Sequence, residues 1–171
     1  MAESDIHSRR SSYREMLLEH LLAGEVMQHL WVAGVGSMEI LKPQVDDSGY
    51  DLVLETGGIV RHVQLKSSFR GSKVRDLNVS LALASKPSGC VVLVRFDPKT
   101  LALGPFGYFG GAPGQRLPDL AGYKMARHTK GDATGLKKFR PNLKCVPISR
   151  FEMVNTVKEL TTKLFGRMSA V

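Results

Sequence analysis

Two glycines, Gly57 and Gly58, separate two runs of largely alternating apolar and polar residues, 50–56 and 59–67. A two-residue loop whose positions both tolerate positive φ is a strong local signal for a β-hairpin, and its length fixes the register. With Thr56 paired to Ile59, the numbers of every cross-strand pair sum to 115, so Asp51 lies opposite Gln64. Side chains alternate along a strand. One face therefore carries Asp51, Val53, Glu55, Val60, His62, Gln64 and Lys66, and the other Tyr50, Leu52, Leu54, Arg61, Val63 and Leu65. The second face reads as the core side. The first gathers a carboxylate, an amide oxygen and an ammonium group, with Lys66 diagonal to Asp51.

Around this hairpin the pattern alternates between helix and strand. Ser12 and Glu15 have capping-box spacing and predict a helix to about Ala33, stopped by Gly34. Leu17, Leu18, Leu21, Leu22, Met27, Leu30 and Trp31 recur at helical spacing, which makes it a packed helix. Glu25 continues an apolar stripe of that helix, and Glu19 is the alternative, sharing a stripe with Leu22 and Val26. Residues 38–41 read as a short strand, 70–76 as a polar connection, 77–85 as a helix, and 90–96 as a strand buried on both faces. The Gly- and Pro-rich stretch 104–122 is expected to be irregular. Its Gly-Gly-Ala-Pro-Gly tract lacks the Lys and Ser/Thr of a phosphate loop. Ser149 and Glu152 form a second capping box, predicting a terminal helix that closes near Gly166.

Length and composition narrow the classes. At 171 residues with 43% hydrophobic content the chain suits one domain with a sizeable core. Cys90 and Cys145 lack Cys-x-x-Cys spacing, so no zinc knuckle, redox dithiol or disulfide framework is read from them. No apolar run approaches the roughly 18 residues of a membrane span, and the first ten residues are polar, so a soluble cytoplasmic protein is expected.

Lys plus Arg number 24 against 16 Asp plus Glu, a formal charge of +8. That excess favours a polyanionic partner. The charge is uneven: Lys124, Arg127, Lys130, Lys137, Lys138, Arg140 and Lys144 are opposed only by Asp132, and 7 − 1 leaves +6 in one stretch. Together with Arg9, Arg10 and Arg14 these residues could neutralise phosphates, a term that positions nucleic acid without reading its sequence.

The hairpin trio suits metal-assisted phosphodiester cleavage. A hard cation such as Mg2+ or Mn2+ takes oxygen ligands, and Asp51 with the Gln64 amide oxygen could supply part of its shell, the Leu65 backbone carbonyl adding to it. Lys66 could orient or help deprotonate the attacking water and offset charge on the phosphate. A helix carboxylate, Glu25 by preference over Glu19, would complete the metal site. His62 shares the face as a partly exposed histidine, and Asp46 and Asp47 shape a turn, Asp47 with a minor prospect of touching metal.

Gly49-Tyr-Asp51-Leu-Val-Leu, followed by Val63-Gln64-Leu-Lys66 with twelve residues between Asp51 and Gln64, and preceded by a Glu-bearing helix, resembles the PD-(D/E)XK nuclease superfamily. Gln in the second acidic position is similar to Mrr-like restriction endonucleases, and the helix-first order to archaeal Holliday-junction resolvases. The resemblance covers residues 12–97. It implies an α/β, restriction-endonuclease-like core with a mixed central sheet flanked by helices, and divalent-metal-dependent hydrolysis of DNA in genome defence or repair, with a homodimer as one assembly. Residues 98–171 are then a basic elaboration and terminal helix packed on the core of a single domain. Two departures stand out. Tyr50 replaces the Pro of the superfamily name, and Gln64 removes one negative charge. The alternatives are an inactive nucleic-acid-binding relative of the same fold, and an interaction protein that docks through its basic segment.

Overall fold

The structure, a computed structural model, describes residues 3–45, 47–128 and 137–168. In chain order its elements are α1 (Glu3–Arg9), α2 (Ser11–Val32), β1 (Glu39–Leu41), β2 (Leu52–Thr56), β3 (Ile59–Phe69), β4 (Asp76–Ser80), α3 (Leu81–Ala84), β5 (Gly89–Phe96), β6 (Leu103–Gly110), β7 (Lys124–Arg127), β8 (Phe139–Pro147), β9 (Glu152–Val154) and α4 (Val157–Phe165). Six strands form a central sheet in the order β1-β2-β3-β5-β6-β9, and three form a second sheet, β4-β8-β7. The central sheet is mixed: β3 and β5 run parallel, and its other neighbours are antiparallel.

The hairpin has the register its glycines predict. Gly57 and Gly58 take φ of 56° and 75°, and the pairs run from Thr56↔Ile59 to Leu52↔Val63. Positive φ at both positions is what a tight turn between right-twisted strands demands. Leu52, Leu54 and Val63 face the core that α2 and α4 cover, with Leu22, Val26, Leu30, Leu160 and Leu164 as their helical counterparts. The opposite face of β5 and β6 presents Val91, Leu93 and Phe109 to Leu77, Val79 and Val146 of the second sheet. Two helices thus cover one face of the central sheet, while a small sheet with α3 covers the other. Each leucine or valine so buried stabilises the fold by about 1.5–3 kcal/mol.

Beyond residue 97 the chain supplies β6 and β9 to the central sheet and α4 to the helical layer, besides the ribbon of β7 and β8. Among the described residues no helix is long and apolar enough to cross a membrane.

Five local expectations are corrected. Helix α2 begins at Ser11, directly after α1, without a side-chain cap, so Ser12 and Glu15 do not act as a capping box. Its buried stripe is Leu18, Leu22, Val26 and Leu30, whereas Met27 and Trp31 point outward at 46% and 76% exposure. Residues 77–80 are strand, because Leu77 and Val79 alternate inward and pair with distant β8; only one helical turn follows, capped by the Ser80 hydroxyl, which accepts from the Ala82 N–H. The stretch 104–122 is ordered as β6 up to Gly110, where a Cβ would lie 2.7 Å from that of Cys90, so glycine permits the close approach of two strands.

The last correction concerns the terminal helix. Ser149 lies in a turn of 3-10 helix and Glu152 in β9. The real cap is Thr156, whose hydroxyl accepts from the Glu159 N–H at 3.1 Å while Glu159 accepts from the Asn155 N–H at 2.8 Å. The helix does close at Gly166, with φ of 77°.

Candidate active site

Strand β3 outlasts its partner. β2 begins only at Leu52, preceded by Asp51, whose backbone N–H donates to the Val63 carbonyl at 2.9 Å. Among the described residues, β3 pairs from residue 64 onward with β5 on one side only, leaving its other edge short of a strand neighbour. The Asp51 carboxylate serves that edge: Oδ2 accepts from the Leu65 N–H at 2.6 Å. Gln64 is 7% exposed, and its Oε1 accepts from the Ser80 N–H at 3.2 Å. A buried amide must find such a partner or carry a desolvation cost, so the second sheet fixes its oxygen.

Two clefts meet at this edge. One, of about 590 Å³, lies between the hairpin and the second sheet and is lined by Asp51, Gln64, Lys66, Ser80, Phe139 and Arg140, among others. The other, of about 510 Å³, lies on the α2 side and is lined by Asp51, Lys66, Arg14, Glu15 and Glu19. Asp51 and Lys66 border both. The sequence-predicted trio Asp51, Gln64 and Lys66 therefore shares the wall of one cleft.

The helix carboxylate is placed differently from the preference for Glu25. Glu19 and Glu15 line the α2-side cleft beside Asp51, and Glu25 lines neither cleft. Six residues separate Glu25 from Glu19, about 9 Å along the axis at 1.5 Å per residue. Burial nonetheless pushes the Glu25 carboxyl above its ordinary value of 4.5. Glu19 is ion-paired with Lys42. Arg14 rests over Phe69 and Phe96, 5.8 Å from each ring centroid, and donates to the His7 carbonyl at 2.7 Å.

The basic residues fall on the β7–β8 ribbon. Lys124, Arg127, Lys137, Lys138 and Arg140 are all exposed, and Arg140 lines the larger cleft opposite Asp51. Lys130 and Asp46 lie outside the described residues. Lys144 instead donates to the Tyr123 carbonyl at 2.9 Å. Asp47 lines the larger cleft and accepts from the Ser48 hydroxyl. His62 lines neither cleft; it meets Tyr50 edge-on with centroids 4.9 Å apart, and burial, then the charge of Lys86, lowers its pKa. Residues the sequence did not single out, Asn78, Ser80, His128, Phe139 and Asn142, join the larger cleft because β4, β7 and β8 fold across the hairpin. Only such long-range pairing could have revealed them.

Among the described residues no three His, Cys, Asp or Glu side chains converge to hold a metal ion. The oxygens at hand are the Asp51 carboxylate and the Gln64 amide, both held by backbone N–H groups. That is a short but hard donor set. It fits Mg2+, which keeps several waters and needs few protein ligands, better than a metal that demands a full protein cage. The comparisons are silent. No family model, curated protein or solved structure matches the chain.

Proposed function

We propose that the chain is a divalent-metal-dependent DNA endonuclease. The observation that carries this reading is the meeting of Asp51, Gln64 and Lys66 at the lip of a cleft whose far wall carries Arg140 and opens onto an exposed basic ribbon. Asp51 and Gln64 would hold the ion. When bound, Mg2+ or Mn2+ supplies a Lewis acid for the phosphodiester and makes water a better nucleophile. Lys66, beside Asp51, offsets charge that grows on the scissile phosphate. Arg140, Lys137 and Lys138 grip neighbouring phosphates and set the strand's position. Arg14 adds one cation to the second cleft, beside Glu15, Glu19 and Asp51. The resemblance of the Asp51 and Gln64–Lys66 segments to the PD-(D/E)XK superfamily agrees with this assignment, including the restriction-endonuclease-like core.

One observation favours a second reading. The Gln64 amide oxygen already accepts from Ser80, and it brings no charge, so the same cleft suits a nucleic-acid-binding protein without catalysis. Incubation of plasmid and single-stranded DNA with Mg2+ or Mn2+ separates the two. Cleavage by the wild type that is lost in Lys66→Ala, with DNA binding retained, supports the endonuclease. Binding without cleavage in either metal supports the second reading.

A further inference from the structure

The rim of the larger cleft carries a group that phosphate binding does not need. Phe139 is 52% exposed and lines the cleft together with Asp51 and Lys66. Arg127 is its direct cross-strand partner and lays its guanidinium 4.7 Å from the ring centroid. A cation over one face pins the ring at a fixed angle and leaves much of it in water. Asn78 and Asn142 line the same cleft, and each amide both donates and accepts, as a base edge requires.

We infer that Phe139, pinned by Arg127, is a stacking platform for an unpaired nucleobase, which makes DNA with unpaired bases the substrate class of this cleft. The inference deepens the reading of the cleft as a DNA site and does not depend on cleavage. Aromatic stacking is tolerant of sequence, because every base presents a π face, so the platform selects strand state over base identity.

The test is equilibrium binding of a fluorescent single-stranded oligonucleotide and of the matching duplex, in EDTA so that no cleavage occurs. Removal of one stacking ring costs about 1–3 kcal/mol, which converts to roughly 5- to 150-fold in affinity. Phe139→Ala should lose single-strand affinity in that range with duplex affinity unchanged, and Phe139→Trp should retain it. Unchanged single-strand binding by Phe139→Ala, equal loss on both DNA forms, or a Phe139→Trp protein as weak as the alanine variant overturns the inference. A wild type that binds neither form overturns the DNA-site reading with it. Stacking through Phe139 in a protein that never cuts DNA upholds the platform and refutes the nuclease.

Discussion

The backbone N–H of Leu65 donates to Asp51 Oδ2 at 2.6 Å, so the carboxylate is anchored by the one residue that separates Gln64 from Lys66. This bond serves two purposes, since it satisfies a strand edge that β2 leaves bare and fixes a carboxylate that lines the cleft. The purposes separate on mutation. Asp51→Asn keeps an acceptor oxygen for Leu65, whereas Asp51→Ala removes it. Both variants are expected to lose Mg2+-dependent cleavage, and Asp51→Ala should lose more stability than Asp51→Asn, since a hydrogen bond to a charged group contributes about 1.5–3 kcal/mol and a neutral one about 0.5–1.5 kcal/mol. Urea unfolding beside a cleavage assay on plasmid and single-stranded DNA measures both, and wild-type cleavage by Asp51→Asn would remove the carboxylate from the mechanism.

Gln64→Glu tests the missing charge. The new carboxylate keeps an oxygen for the Ser80 N–H but shares a cleft wall with Asp51. A second negative charge in one site disfavours the ionised pair unless a cation lies between them. The variant should therefore melt below wild type in EDTA and recover as Mg2+ is added, because a ligand that binds only the folded state stabilises it. Equal melting with and without Mg2+ would argue against a metal between these two residues.

How far the sequence exposes this architecture depends on the range of the interactions involved. The hairpin register was legible from Thr56↔Ile59 to Leu52↔Val63 because Gly57 and Gly58 determine it locally, whereas Asp51 lies just beyond that ladder and reaches the Val63 carbonyl and the Leu65 N–H. The buried run in β5 was legible for a related reason: a strand covered on both faces has no polar side to show. Val79 misled because an Ala- and Leu-rich segment has helical propensity, and only its pairing with Lys144 on β8 makes it strand. The sequence puts Arg61 on the core face without showing what pairs it there, where it is fully buried and donates to Ser88 Oγ and to the carbonyls of Gly111, Ala112 and Lys163. These partners lie 27 to 102 positions away. The choice of helix carboxylate turns on a subtler point. Glu19 and Glu25 both border buried positions, and which of them sits beside the hairpin depends on how far α2 is shifted along its axis, which periodicity does not encode.

His62 supplies a pH signature. Burial, then Lys86, lowers its pKa below the ordinary 6.5, so the folded protein holds the imidazole neutral over a range in which the unfolded chain is protonated. The sign follows from linkage: this contribution is complete above pH 6.5 and is lost as pH falls towards the lowered folded value. Thermal melts of wild type should decline across that window, and His62→Gln should flatten the decline. Lys86→Ala, which removes the smaller cause, should shift it only in part. Superimposable profiles for wild type and His62→Gln would show that another group titrates.

The basic ribbon offers a test that distinguishes phosphate contacts from structural cations within one element. Lys137, Lys138 and Arg140 are exposed, and Arg140 faces the cleft, whereas Lys144 spends its ammonium on the Tyr123 carbonyl at 2.9 Å. Each true phosphate contact releases a counterion and contributes about 0.7–0.9 to the slope of log K against log salt. Lys138→Ala and Arg140→Ala should each weaken DNA binding and flatten that slope by about this amount. Lys144→Ala should leave the slope unchanged and cost about 1 kcal/mol in unfolding free energy, because it removes a tie between β8 and the loop before β7. A slope that falls equally in all three variants would mean that charge density, rather than the geometry of the ribbon, governs binding.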